Sequence, residues 1–119
     1  MPTVLELAGV KPLAEWNEKP RPPLPGKSLV PLFKRDATIT RDALYWQHEG
    51  NRALRVGDWK LVSEFGNNSQ WELYDLKRDR IESRNLAESN PRKVKELSAT
   101  WTALDGEFHQ QGRGADVTK

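Results

Sequence analysis

The feature that most constrains this chain is the dipeptide Gly57-Asp58, set between the apolar arms Arg52–Val56 and Trp59–Ser63. Two-residue turns of this kind match the right-handed twist of paired strands and hold them in antiparallel register. Further strand candidates lie on either side, Ala43–Gln47 before the hairpin and Gln70–Asp75 after the Gly66–Ser69 turn. The alternation puts Arg52, Leu54 and Val56 on one face of the first arm, and Trp59, Leu61 and Ser63 on one face of the second. Trp46, Trp59 and Trp71 each fall in one of these runs and read as packing residues.

Four strands need a cover on at least one face. The sequence supplies it in an amphipathic helix opened by Asn90-Pro91, a capping residue followed by proline at the first position. Val94, Leu97, Trp101, Leu104 and Phe108 then recur at helical spacing. The expected fold class is therefore α+β: a four-stranded antiparallel sheet with a C-terminal amphipathic helix packed on one face, preceded by a Pro-rich extended segment. In that segment Pro12, Pro20, Pro22, Pro23 and Pro25 exclude regular helix or a central strand. Before it, Pro2–Ala8 favours a short helix stopped at Gly9. After it, Leu29, Val30, Leu32 and Phe33 form an apolar plug with about one helical turn around Pro31. The organisation expected is a linker segment over 1–41, a subdomain over 42–109 and a disordered tail over 110–119, which lacks apolar periodicity.

Composition narrows the function. The 119 residues fit one domain. There is no cysteine, which removes disulfides, thiolate metal sites and a cysteine nucleophile. The 19 basic and 17 acidic residues are interspersed, so no basic face marks a nucleic-acid partner. No apolar run is long enough for a membrane-spanning helix, and MPTVLELAGV has neither the basic start nor the apolar core of a signal peptide. The compartment is left open.

Short motifs are mostly explained by structure. Pro25-Gly26-Lys27-Ser28 ends like a phosphate-binding loop, but Arg21 stands where its first glycine should be. Asp75, Asp79 and Glu82 have calcium-loop spacing only in part, since Lys77 and Arg80 occupy a ligand and the glycine position. They read as turn formers balanced by Lys77, Arg78 and Arg80. Asn67-Asn68-Ser69 is a glycosylation sequon that would matter only in a secreted protein. No serine sits in a G-x-S-x-G elbow. One segment keeps a functional reading. His48-Glu49-Gly50-Asn51-Arg52 joins two strands and could present His48, Asn51 and Arg52 to an anion. Its structural alternative is a polar hairpin turning at Gly50-Asn51, with Arg52 a partner of Glu49 or Asp58.

The string His48–Arg55 with Gly57-Asp58-Trp59-Lys60-Leu61-Val62 resembles the C-terminal subdomain of arylsulfatase-type sulfatases. So does Trp71-Glu72-Leu73-Tyr74-Asp75-Leu76, with Asp79, Glu82 and Asn85-Leu86-Ala87 following. Pro2–Gly9 and Gly26-Lys27-Ser28-Leu29 are similar to the segment linking the two sulfatase subdomains. One departure is Asp79-Arg80, where many relatives have Asp-Pro. The resemblance covers about residues 1–109. It implies a partner, a large N-terminal catalytic domain of the alkaline-phosphatase type. That domain carries formylglycine, made within a C/S-x-P-x-R motif, and a calcium ion. Neither cofactor has a place in this chain. Ser89-Asn90-Pro91-Arg92-Lys93 has its arginine one position early. The resemblance thus implies a separated C-terminal piece of a sulfatase, catalytically incompetent alone. In the complete enzyme it would line one side of the substrate pocket, with His48, Asn51 and Arg52 touching a sulfate ester. An exposed apolar face over the Pro-rich segment and Leu29–Phe33 would then pack on the catalytic domain, or self-associate without it. The alternative is a stand-alone module that binds sulfated ligands or a separately encoded catalytic half.

Overall fold

The computed structural model describes residues 1–16, 18–21, 24, 26–66 and 68–115. The sequon residue Asn67, the prolines Pro22, Pro23 and Pro25, and the last four residues of the expected tail lie outside the described residues. The chain divides into two compact units, Met1–Thr40 and Arg41–Lys119.

The first unit holds helix α1 (Pro2–Leu7), the two-residue strands β1 (Glu15–Trp16) and β2 (Lys19–Pro20), and helix α2 (Val30–Lys34). Pro2 opens α1, and Gly9 ends it at φ +65°. The amide of Val10 donates to the Leu5 carbonyl and that of Gly9 to Glu6, at 2.9 and 3.1 Å. This paired closure requires a left-handed residue after the cap, which glycine supplies without strain. Thr3 Oγ1 accepts from the Leu29 amide at 3.0 Å, and Lys27 Nζ donates to the Thr40 carbonyl at 2.6 Å. The antiparallel pair β1–β2 was not legible among the prolines. Pro20 is tolerated there because it sits in a two-stranded ladder with no strand on its far side.

The second unit contains the sheet β3 (Leu44–His48), β4 (Asn51–Val56), β5 (Trp59–Ser63) and β6 (Glu72–Asp75). The strands follow the order β3-β4-β5-β6, all antiparallel. Directly opposed residues share a face, so register defines two faces. Tyr45, Leu54, Leu61 and Leu73 form one cross-strand row. The three leucines are fully buried, and Leu97 and Trp101 of helix α3 (Pro91–Ala115) complete the core over them. Ala43, Val56, Trp59, Trp71, Leu86, Ala87, Val94 and Leu104 pack around it. This is the expected α+β arrangement of a four-stranded antiparallel sheet covered by a C-terminal helix. Each buried leucine contributes on the order of 2 kcal/mol through apolar area removed from water.

Three expectations need correction. Trp46 is not a core residue: it alternates with Tyr45, so its side chain lies on the face away from the helix and is 48% exposed. Only its carbonyl serves the core, accepting from Trp101 Nε1 at 3.2 Å. The helix does not end near residue 109 but continues to Ala115. Polar pairs one turn apart extend it where the apolar stripe stops: Gln111 Nε2 donates to Glu107 Oε1 at 3.0 Å, and His109 Nε2 lies 3.6 Å from Asp105 Oδ1. Asn90 precedes the helix, yet its Nδ2 turns back to the Leu86 carbonyl at 3.2 Å and Ser89 Oγ at 3.0 Å.

The tyrosines tie the sheet to its surroundings. Tyr45 OH donates to Asp105 Oδ1 at 2.5 Å, and its ring stacks on Trp101 and tilts against Phe108. Burial, then the bond to Asp105, pushes the Tyr45 phenol up. Tyr74 OH donates to Glu72 Oε2 at 2.6 Å; that bond, then burial, pushes its phenol up to about 12. The unfolded chain releases these protons near pH ~10, the folded chain later. Their stabilisation is therefore complete below pH ~10 and lost as pH rises through the folded values. Urea midpoints are expected to hold up to pH ~10 and fall towards pH ~12, and Tyr74→Phe should flatten part of that fall.

Candidate functional site

The loop singled out in the sequence is a two-residue turn. β3 runs through His48 and β4 begins at Asn51, so Glu49 and Gly50 make the turn rather than Gly50 and Asn51. Their φ values are +48° and +83°, as a turn matched to strand twist requires. A Cβ on Gly50 would stand 2.4 Å from Cδ2 of Phe65. The Phe65 amide donates to Asn51 Oδ1 at 2.9 Å, which holds the aromatic over the glycine. Gly50→Ala should therefore cost about 1–2 kcal/mol, part from the left-handed backbone and part from the displaced ring. Adding Phe65→Ala should recover only the second part, which a double-mutant thermal-melt cycle measures.

The three named residues divide between two faces. His48 and Asn51 are opposed across the β3–β4 ladder, on the face away from α3. The His48 side chain is 82% exposed, with Nε2 only 3.8 Å from Glu49 Oε2. Asn51 is committed to the Phe65 amide. Arg52 lies on the helix face, opposite Ser63. It donates to Ser63 Oγ at 3.0 Å and to the Ser69 carbonyl at 3.1 Å. Its guanidinium carbon sits 4.5 Å from the Trp71 ring centre and 5.4 Å from that of Trp101. Arg52 thus finds its partners in two serines and two tryptophans, not in Glu49 or Asp58. Strand alternation puts Arg52 on the face of Leu54. It carries no information that Trp71 and Trp101 converge there from elements distant in the chain.

The acidic cluster is a turn, as its spacing suggested. Asp75 Oδ1 accepts from the Lys77 amide at 3.0 Å. Asp79 accepts from Ser83 Oγ at 3.1 Å and from the Arg84 amide at 2.8 Å. Hydrogen bonds from Ser83 and Arg84 hold the Asp79 carboxyl below the usual range. Asn85, also unforeseen as a structural residue, accepts from the amides of Leu73 and Ala87 through Oδ1. It thereby pins the connection after β6 to the sheet.

On the face away from the helix, Trp46, Ala53, Arg55, Asp58, Lys60, Leu76, Lys77, Arg80 and Glu82 line an open groove of about 810 Å³. Lys60 Nζ and Glu82 Oε1 are 2.6 Å apart within it. Among the described residues no three acidic or histidine side chains converge as a metal would need. Among the described residues no helix is long and apolar enough to cross a membrane.

Known proteins resemble the chain over nearly its whole length. No family model matches it. An uncharacterized sulfatase of Schizosaccharomyces pombe is 33% identical over 112 residues, which is 90% of this chain and 20% of the yeast protein. A protein solved with its substrate D-glucosamine-2-N,6-O-disulfate superposes with a TM-score of 0.62 at 24% identity, over 92% of this chain and 23% of its own. A protein of Bacteroides thetaiotaomicron assigned as a sulfatase gives 0.59 at 25% identity, over 99% and 25%. A 2-O GAG sulfatase gives 0.58 at 25%, with the same coverage. The chain spans only about a fifth to a quarter of these relatives. It is accordingly a relative of the sulfatases, and what it matches is their C-terminal domain.

Proposed function

We propose that this chain acts as the C-terminal domain of a sulfatase, performs no sulfuric ester hydrolysis by itself, and supplies one wall of a pocket completed by an N-terminal catalytic domain. The carrying observation is the match of nearly all of this chain to a fifth of a sulfatase, in a chain with no cysteine and no acidic cage among its described residues. His48 is the residue of this wall that would meet substrate: it is exposed on a turn fixed by Gly50 and Phe65. An imidazole there can donate to a sulfate oxygen. Asn51 and Arg52, also expected to touch substrate, support the wall from behind by fixing the turn and the strand that follows it.

Residues 1–40 fit this role as well. Among the described residues of that unit none is buried, and Val4, Leu7, Val10, Leu13 and Phe33 are each more than half exposed. So much apolar surface on 40 residues suits a docking face for a larger domain. The test is to place the chain as the C-terminal domain of the yeast relative. The chain alone should turn over no aryl sulfate above background. In the chimera, His48→Ala should lower kcat/KM about ten- to a hundredfold, the range of one hydrogen bond to a charged group. It should leave the melting temperature unchanged. Turnover by the isolated chain, or an unaltered kcat/KM in the variant, would sink this reading.

A further inference from the structure

We infer that the tip of the connection after β6, Lys77–Arg84, is a docking site for an acidic protein segment that carries apolar side chains. Ile81 stands at this tip 85% exposed, the highest value for a large apolar residue among the described residues. Around it the chain sorts its charges. Lys77, Arg78, Arg80 and Arg84 are exposed, whereas Asp79 and Glu82 are half-buried. Both carboxylates are committed to holding the connection. Asp79 accepts from Ser83 Oγ and the Arg84 amide, and Glu82 Oε1 accepts from Lys60 Nζ at 2.6 Å. Glu82 takes the left-handed conformation, φ +56°. Such a conformation costs a non-glycine residue on the order of 1 kcal/mol, and persists only where the surroundings fix it. The Leu76 amide donates to the Asp58 carbonyl at 2.8 Å, which fastens the start of the connection to the β4–β5 turn. These bonds use neither the Ile81 side chain nor the guanidinium groups of Arg80 and Arg84.

The chemistry of the tip selects the occupant. Among the described residues Lys77, Arg80 and Arg84 have no ion-pair partner within 4 Å, and Arg78 Nε is only 3.8 Å from Asp75 Oδ2. A guanidinium fork takes a carboxylate through two parallel hydrogen bonds. Arginines around one aliphatic side chain therefore fit aspartates and glutamates flanking a leucine. A nucleic acid fits less well, because the tip offers no ring on which a base could stack. A membrane fits less well too. Burying one isoleucine contributes about 3 kcal/mol at most, less than a single acyl chain, which itself anchors only marginally. The hydrogen bonds also fix the tip in advance, which lowers the ordering cost of meeting a partner of defined shape. The site lies away from the proposed pocket wall. The connection is fastened to the β4–β5 turn, whereas His48 borders the β3–β4 turn at the other end of β4. That strand has six residues, about 17 Å. Docking at the tip leaves the His48 wall open, and the inference does not rest on the sulfatase reading.

The full chain is titrated calorimetrically with a short peptide of aspartate and glutamate in which leucines are interspersed. The comparison ligands are the same peptide with serine in place of leucine, phosphatidylserine vesicles and a single-stranded oligonucleotide. The leucine peptide should bind saturably with a Kd of about 1–100 μM, the strength of a small transient interface. The three comparison ligands should bind at least about fivefold more weakly. Arg80→Gln with Arg84→Gln should weaken the leucine peptide about tenfold and flatten its salt dependence. Ile81→Ala should weaken it about fivefold with the salt dependence unchanged, because no charge is removed. Neither variant should move thermal unfolding, since the bonds that hold the connection remain. Absence of saturable binding, equal binding of any comparison ligand, or either variant within about twofold of the parent would overturn the site. His48→Ala should bind the peptide as the parent does, and loss of binding there would overturn the site while leaving the pocket wall intact. An unaltered kcat/KM in the His48→Ala chimera, with the peptide still bound at the tip, would do the reverse.

Discussion

Leu61→Ala is expected to destabilise the Arg41–Lys119 unit by about 3–4 kcal/mol. Leu61 has no exposure and lies directly between Leu54 and Leu73 in the middle of the sheet. The three leucines form one buried cluster with Leu97 and Trp101 of the helix. Truncation removes the transfer energy of the side chain and leaves a cavity walled on two sides by strands fixed in register, so collapse is limited. For a unit of this size the melting temperature should fall by roughly 12–25 °C. Leu61→Met, which conserves volume, should cost less than about 1.5 kcal/mol. Ile81, 85% exposed, is the control: Ile81→Ala should change stability by no more than about 0.5 kcal/mol. If thermal melts of Leu61→Ala and Ile81→Ala coincide, the assigned core is wrong.

The second large effect belongs to a charged residue. Arg52→Ala should cost about 2–3 kcal/mol, because Ser63, 2% exposed, loses its hydrogen-bond partner and two indoles lose a cation. Arg52→Lys should recover only a small share. An ammonium cannot lie flat between Trp71 and Trp101 while donating to both Ser63 Oγ and the Ser69 carbonyl. The measurement is the chemical-denaturation midpoint of the isolated chain. A side chain whose whole value lay in touching substrate would leave that midpoint unmoved, so a wild-type midpoint in Arg52→Ala would refute the structural role.

Arg52 also shows how far the sequence could be read. Gly57-Asp58 fixed a hairpin whose second arm, Trp59–Ser63, is the observed strand, since a two-residue turn leaves one register. The stripe Val94, Leu97, Trp101, Leu104 and Phe108 likewise announces the helix and its buried face. Both signals are local and periodic. The parity of Trp46 was equally available, but a large aromatic among apolar neighbours reads as core by composition. Only the pairing of Tyr45 with Leu54 shows that Trp46 faces outwards. The extension of α3 past residue 109 depends on polar pairs one turn apart, a weaker signal than hydrophobic periodicity. The groove was illegible for a different reason. Its lining comes from three strands, a turn and the connection after β6, and each contributor taken singly looks like a solvated charge.

Every strand of the four-stranded sheet pairs with its neighbour in sequence. This meander has a kinetic consequence. No pairing in it waits for a distant part of the chain, so loop-closure entropy is spent in small steps and the barrier to folding is low. The hairpins β3–β4 and β4–β5 are of the kind that zips on microsecond timescales. Residues 1–40 have no such nucleus, since none of their described side chains is buried. A protease challenging the native chain should therefore cut first within 1–40 and leave the sheet-and-helix unit as the resistant fragment.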